Sequence, residues 1–328
     1  MSTIPNKFPS LISDDHDDKL LNELPKERFW EALDIFQWEG FWFDPNFIKS
    51  AITFKSSFEA RDDDVLLAST MKAGTTWLKA LTLCIMQNKN THQTHDEYHH
   101  KHVDILTTEN PHFHIPNIET ITYSTKAPKF DIYDSSAPRL LQTHLPYAAL
   151  PDSIKNSACK IVYITRNPKD TLISMWHFFN SIYKPHQDPI PLQKAVDCFC
   201  SGVHMYGPFF EHVVEYWQES QKRPQKILFI KYEELKSDPK RHVSKIAEFL
   251  GRPFANENEV DEVVWRCSLE RLKNLEVNKS GSVLLYVPNS SYFRKGEVGD
   301  WKNYLTPEME EQINQTSRIK LEPCGLFL

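Results

Sequence analysis

The segment STMKAGTTW (69–77) places a lysine, a glycine and two threonines between an apolar run, VLLAS (65–69), and a helix-like run, LKALTLCIMQ. Strand, tight turn and helix in that order make a phosphate-binding geometry. Backbone N–H groups at the helix N-terminus lack intrahelical partners, and the partial positive charge there favours an anion. Gly74 lets the backbone come close to such an anion, Thr75 and Thr76 add hydroxyl donors, and Lys72 adds a fixed cation. Each residue alone would also suit a plain strand-to-helix turn with a surface lysine; the set points to phosphate. Two further clusters could serve a second anion. KIVYITRNPKDTLISMW sets Arg166 at the carboxyl end of a predicted strand, where α/β sheets bind ligands, with Ser174 two turns into the helix that follows. Arg166 can offer a planar fork of donors and Ser174 a hydroxyl, although an arginine there serves equally well as a structural ion-pair partner. FRKGEVGDWKN (293–303) supplies Arg294, Lys295 and Gly296, which read either as an anion-binding loop or as a solvated basic one.

Counting removes two common alternatives. None of the 9 glycines is followed by lysine, so the Walker A pattern is absent, and no two glycines are separated by one residue, so the GxGxxG dinucleotide fingerprint is absent as well. Lys and Arg total 38 against 44 Asp and Glu, a net charge of −6, the wrong sign for a protein that lives on nucleic-acid backbones. No run of about 18 apolar residues suggests a membrane span, and the first residues lack the basic and apolar blocks of a signal peptide. The expectation is a soluble, cytoplasmic protein. Its 6 cysteines, with no CxxC pair, read as reduced thiols, and the sequons at Asn278, Asn289 and Asn314 carry no weight in such a compartment.

The elements that must hold these residues follow from the pattern. VLLAS (65–69), RLLQT (139–143), KIVYIT (160–165) and KILFIK (226–231) fit buried strands of one parallel sheet, and segments 76–88, 169–179, 208–220, 239–250, 259–266 and 308–320 read as flanking helices. The fold class is therefore α/β, a single domain around a central parallel sheet with a P-loop-like turn. Residues 1–22, polar and acidic, read as a disordered tail, with the domain over 23–328. The aromatic-rich stretch LPKERFWEALDIFQWEGFWFDPNFI is expected to pack on the core or roof an apolar cleft. The polar segments 89–135 and 278–293 read as loops over a substrate. Half of the 14 histidines fall between 92 and 114; a metal cluster is one reading, a solvated acceptor-side loop the preferred one.

With STMKAGTTW, RNPKD and FRKGEVGDWKN in this order, the chain resembles the soluble sulfotransferases over about residues 25–328, and its LPKE and GFW segments are similar to those of the plant branch. The resemblance implies transfer of a sulfuryl group from 3′-phosphoadenosine 5′-phosphosulfate (PAPS) to a hydroxyl of a small acceptor, with 3′-phosphoadenosine 5′-phosphate (PAP) as product and no metal. By motif, Lys72, Ala73, Gly74, Thr75 and Thr76 would hold the 5′-phosphosulfate, with Trp77 against the adenine, and Arg166, Ser174, Arg294, Lys295 and Gly296 the 3′-phosphate. Tyr232 and Ser268 match positions that contact the nucleotide. His144, in RLLQTHLPY, matches the catalytic histidine; a lone histidine after a strand is more often structural, but an imidazole of ordinary pKa about 6.5 can take a hydroxyl proton near neutrality. Lys72 suits the charge that grows on the leaving phosphate, and Ser174 could restrain Lys72 until an acceptor arrives.

The sequence departs from the family pattern in places. Met71 and Ala73 stand where the turn usually has Pro and Ser, Cys267 and Leu269 where Thr and Phe are frequent, and Pro307 where the dimer motif that Lys302, Thr306 and Glu311 meet has Val. A monomer or weak homodimer is expected. Phe113 and Tyr147 are the candidates for an aromatic acceptor. An ATP-dependent small-molecule kinase and a non-catalytic nucleotide-binding protein are the competing functions.

Overall fold

The computed structural model describes residues 20–87, 103–122, 138–183, 187–284 and 287–328. Its centre is a four-stranded parallel sheet of β4 (Val65–Ser69), β5 (Leu140–Thr143), β6 (Lys160–Thr165) and β7 (Ile227–Lys231), in the order β5-β4-β6-β7. All five residues of β4 and five of six in β6 are buried, the continuous apolar run of strands covered on both faces. In the register, Leu66 lies beside Leu141 on one side and Ile161 on the other, and Tyr163 lies beside Phe229. Side chains alternate between faces. Leu66, Ala68, Leu141, Ile161 and Tyr163 join one core with the helix Phe209–Lys222. Val65, Leu67, Val162, Ile164 and Ile230 join another with the helices Thr75–Gln87, Pro239–Phe249 and Glu257–Arg266.

The expected strands and helices agree with this sheet and its flanking helices to within a few residues at each end; absent from the sequence reading are the longer helices Pro45–Ser57 and Leu192–Ser201 and several short ones, Tyr232–Ser237 and Leu269–Asn274 among them. The aromatic stretch folds into an antiparallel sheet of β1 (Lys26–Phe29), β2 (Leu33–Trp38) and β3 (Phe41–Phe43). The β2–β3 turn is Glu39–Gly40, both with positive φ (52° and 81°), the backbone that matches the twist of a tight hairpin. This sheet packs on the core: Phe29 stacks on Trp30 at 4.5 Å and meets Phe179 edge-on at 5.3 Å. Phe179 belongs to the helix Pro168–Tyr183, which also carries Ser174, so the aromatic sheet backs a wall of the site.

Of the expected tail, residues 1–19 lie outside the described residues, and residues 20–22 are helical. The segment 89–135 is likewise described only over 103–122, as two short helices, Ile105–Thr108 and Pro111–His114, and a π-turn. The sequons at Asn278 and Asn289 fall on buried side chains that hydrogen-bond main-chain carbonyls. All six cysteines are free thiols.

Candidate active site

β4 and β6 are neighbours at the centre of the sheet, and each runs directly into a turn and helix at its carboxyl end. Beyond those ends lies a cleft of about 570 Å³. Its lining includes Lys72, Gly74, Thr75, Thr76, Trp77, His144, Arg166, Ser174, Tyr232, Ser268, Arg294, Lys295 and Gly296. Residues spread over more than 220 positions of sequence thus meet at one place, where all four parallel strands end.

The turn after β4 is left-handed at two points, with φ of 64° at Lys72 and 111° at Gly74. At Gly74 a side chain is excluded twice over: its φ is costly for any other residue, and a Cβ would sit 2.8 Å from the Tyr232 ring. The Tyr232 hydroxyl donates to Gly296 O at 2.9 Å and its ring meets Trp77 edge-on at 5.4 Å, so one tyrosine ties the turn to the loop 293–303. A Cβ on Gly296 would lie 2.5 Å from Leu269, which therefore covers that loop with aliphatic contact. Ser268 caps the helix Leu269–Asn274, its hydroxyl accepting from Arg271 N.

Cations dominate one wall. Arg166 is only 6 % exposed. One of its terminal nitrogens donates to Glu297 O at 2.6 Å, while its Nε has no hydrogen-bond partner among the described residues. Arg294 and Lys295 are both held by Asp300, at 2.7 and 2.6 Å. Burial works against the Asp300 charge, but the Lys295 and Arg294 hydrogen bonds outweigh it and hold the carboxyl down at about 2. Lys72 pairs with no carboxylate among the described residues; its Nζ rests 3.9 Å from the centre of the Phe178 ring. Burial first, and then the charges of Arg166 and Arg294, pull its pKa down to about 7. An unpartnered buried guanidinium nitrogen, a lysine destabilised by two neighbouring cations and two glycines where a Cβ would clash together fit a polyanion lying close against the main chain.

His144 faces this wall. Its Nδ1 donates to Ser69 O at 2.9 Å, which leaves Nε2 with the lone pair. Burial is the main reason its pKa falls to about 3; the bond to Ser69 opposes this, and the charges of Lys79, His212 and Lys72 reinforce it. The imidazole is therefore neutral at physiological pH. Below it, the buried Glu119 accepts from His144 N at 2.6 Å and from Thr143 Oγ1 at 2.9 Å, while His212 Nε2 donates to His144 O at 3.0 Å, so the histidine backbone is pinned from both sides.

Comparison with known proteins matches residues 62–325 to the sulfotransferase domain. Cytosolic sulfotransferase 5 of Arabidopsis thaliana is 41 % identical over 312 residues, 94 % of each chain, and cytosolic sulfotransferase 7 of the same plant is 40 % identical over 328 residues, 98 % of each. The crystal structure of mouse sulfotransferase SULT7A1 complexed with PAP superposes with a TM-score of 0.65 at 28 % identity, covering 88 % of this chain and 94 % of that one. The chain belongs to the sulfotransferase family. The three motifs thus carried the right activity, PAPS-dependent sulfuryl transfer, and the plant relatives agree with the expected branch.

The sulfotransferase does not bring every candidate to the cleft. Ala73 is fully buried behind the turn. Phe113 does not line the cleft and is 36 % exposed, because the short helix Pro111–His114 turns His112 inward and so sends its neighbour outward. Tyr147 points the other way, edge-on to Tyr216 at 5.6 Å and hydrogen-bonded by Arg223. The expected solvated histidine loop fails at His112, which lines the cleft; His92, His95, His99, His100 and His102 lie outside the described residues. Among the described residues no group of three or more His, Cys, Asp or Glu could hold a metal.

Several residues of the sulfotransferase site escaped the sequence reading. Asp170, inside the RNPKD motif, accepts from Gly299 N at 2.7 Å and Trp301 N at 3.1 Å, and so fixes the loop that carries Arg294 and Lys295. Asp300 orients both cations. Their signal was present, acidic residues inside two basic motifs, but only the fold shows that Asp170 reaches from one motif to the other and that Asp300 holds both cations of its own. Phe178 and Tyr292, which line the cleft beside Lys72, carried no signal beyond their aromatic type.

Proposed function

We propose that this sulfotransferase binds PAPS with its 5′-phosphosulfate in the turn Lys72–Thr76 and its 3′-phosphate among Arg166, Ser174, Arg294, Lys295 and Gly296, with Trp77, Tyr232, Ser268 and Leu269 around the adenine. PAPS supplies the sulfuryl group; the acceptor is a small hydroxylated metabolite, phenolic, flavonoid or steroid-like. His144 Nε2 takes the acceptor hydroxyl proton, Lys72 stabilises the charge developing on the leaving phosphate, and Ser174 restrains Lys72 until the acceptor is present. The observation that carries this reading is that the Nδ1 bond to Ser69 O commits His144 to a single tautomer whose basic nitrogen serves the same cleft as Lys72. Charge on the reacting groups is met by side-chain cations, so the reading calls for no metal.

The cytosolic naming of the relatives supports a cytoplasmic enzyme, and among the described residues no helix is long and apolar enough to cross a membrane. A monomer or weak homodimer fits Pro307, which opens the helix Pro307–Lys320 behind the Thr306 cap and has no N–H to offer a partner chain. The test is to incubate the purified protein with PAPS and a panel of phenols, flavonoids, steroids and aliphatic alcohols, and to look for sulfated product by mass spectrometry. Sulfation of at least one class without added metal is expected. Phosphorylated product with ATP and none with PAPS would overturn the reading.

A further inference from the structure

Lys79 is an odd residue for its place. It lies one turn after Thr76 on the helix Thr75–Gln87, its side chain wholly buried, among neighbours such as Leu78, Ala80 and Leu81 that pack in the core. Burying an ammonium is costly unless it is paired and hydrogen-bonded. Burial pulls its pKa down to about 7, the charge of the fully buried Glu119 acts the other way, and its hydrogen-bond partner is His112, whose Nδ1 lies 3.0 Å from Lys79 Nζ. The other nitrogen of the same ring, His112 Nε2, lies 2.9 Å from Thr76 Oγ1 in the phosphate turn. The ring is held from outside as well: it lies tilted by 31° against Tyr292 at 4.2 Å, and Asn110 accepts from His112 N while its own amide bonds the buried Asn278.

Hydrogen-bond bookkeeping fixes the direction of this chain. With Lys79 as the ammonium, the form that Glu119 and an anion in the turn both favour, its nitrogen has donors and no acceptor, so His112 Nδ1 accepts. A neutral imidazole that accepts at Nδ1 carries its proton on Nε2 and donates it to Thr76 Oγ1. The threonine oxygen, already accepting, keeps its own hydrogen for a group in the cleft. We propose that Lys79 and His112 are positioning residues for the donor nucleotide, a relay that commits the Thr76 hydroxyl to donate to the 5′-phosphosulfate. The proposal rests on the assignment of the turn Lys72–Thr76 to that group. It also gives the described part of the histidine-rich segment a purpose, since His112 joins the wall of that segment to the turn.

The test is calorimetric titration of two ligands, PAP and adenosine 3′-phosphate, which lacks the 5′-phosphate. His112→Phe keeps a ring against Tyr292 but has no nitrogen; it is expected to weaken PAP about tenfold, the scale of one hydrogen bond to a charged group, with adenosine 3′-phosphate unaffected. His112→Gln, whose amide can accept from Lys79 and donate to Thr76, is expected to restore PAP binding. In a Thr76→Ala background His112→Phe is expected to cost nothing more. Should His112→Phe not fold, His112→Asn, too short to reach both partners, takes its place with the same expectation. Unchanged PAP affinity in the variant, equal weakening of both ligands, or a full further loss on top of Thr76→Ala would each overturn the relay while leaving the donor site intact. A wild-type protein that does not bind PAP would overturn the donor assignment and the relay together.

Discussion

His144→Ala is expected to abolish measurable sulfuryl transfer, a loss of about 10²–10⁴ in rate for a positioned base, while PAP affinity stays near that of the wild type. The reasoning runs through the hydrogen bonds. With Nδ1 given to Ser69 O and the backbone pinned by Glu119 and His212, the imidazole has one rotamer, one tautomer and one free lone pair. The cations of the donor wall lie on other elements, so alanine leaves them in place. The depressed pKa of about 3 means that His144 is already deprotonated in the ligand-free enzyme at any pH above about 4. Its kcat/KM profile is accordingly expected to lack an acid inflection near 6.5. Burial dominates that depression, and a bound polyanion beside Lys72 offsets the cationic part of it, raising basicity when the cleft is filled. Turnover of His144→Ala at the wild-type rate would remove the base from this account, and loss of PAP binding in the variant would make the histidine a structural support.

Lys72→Met is expected to lower kcat by about 10²–10³, the scale of removing one preorganised group that meets developing charge, and to alter the pH dependence of PAP binding in a defined direction. In the free protein burial and the charges of Arg166 and Arg294 hold Lys72 at about 7 instead of 10.5. A bound anion favours the ammonium, so binding above that pH requires uptake of a proton. PAP affinity should therefore fall as pH rises from 7 to 9, by up to about tenfold per unit. The variant lacks this ammonium and should bind PAP more weakly with a flatter profile over the same interval, the slope that remains being that of Lys79, which burial also holds at about 7. Titration calorimetry across that range reads both quantities. A flat wild-type profile, or a variant with wild-type kcat, would place the essential cation elsewhere.

The parallel sheet was legible because its strands carry apolar residues at consecutive positions, as in Val65–Ser69, a pattern that survives without knowledge of neighbours. The aromatic hairpins were not. Their turns at Trp30–Glu31 and Glu39–Gly40 use positive φ at mostly non-glycine positions, so the usual Asn-Gly or Asp-Gly signal is missing and the aromatic density reads only as burial. The helix Pro45–Ser57 was missed although Asp44 caps it and Pro45 opens it, since its core-facing residues are interleaved with Thr, Ser and Lys. At the site, the donor-wall side chains were named because each sits inside a motif, after a strand end for Lys72 and Arg166 and in the loop 293–303 for Arg294, Lys295 and Gly296. The supports Asp170, Glu119, Lys79 and His112 act across 24 to 131 positions of sequence, and pairing at such range is a property of topology, whereas Asp300 holds Arg294 and Lys295 from within their own loop. Phe113 and Tyr147 failed for the converse reason: proximity in sequence to the base and the loop does not set the direction of a side chain on a short helical turn.

The departures at Met71, Ala73 and Leu269 leave the form of the site intact: the turn keeps its left-handed backbone at Lys72 and Gly74, and Leu269 still packs over Gly296. The central claim is that the cleft is a site for a 3′-phosphonucleotide, and the measurement that reaches it most directly is calorimetric titration of the purified wild-type protein with PAP and, separately, with ADP, which has a 5′-diphosphate and no 3′-phosphate. Arg166 with its unpartnered Nε, and Arg294 and Lys295 on Asp300, predict tight binding of PAP and far weaker binding of ADP. Equal affinity for the two nucleotides, or no affinity for either, would contradict the account.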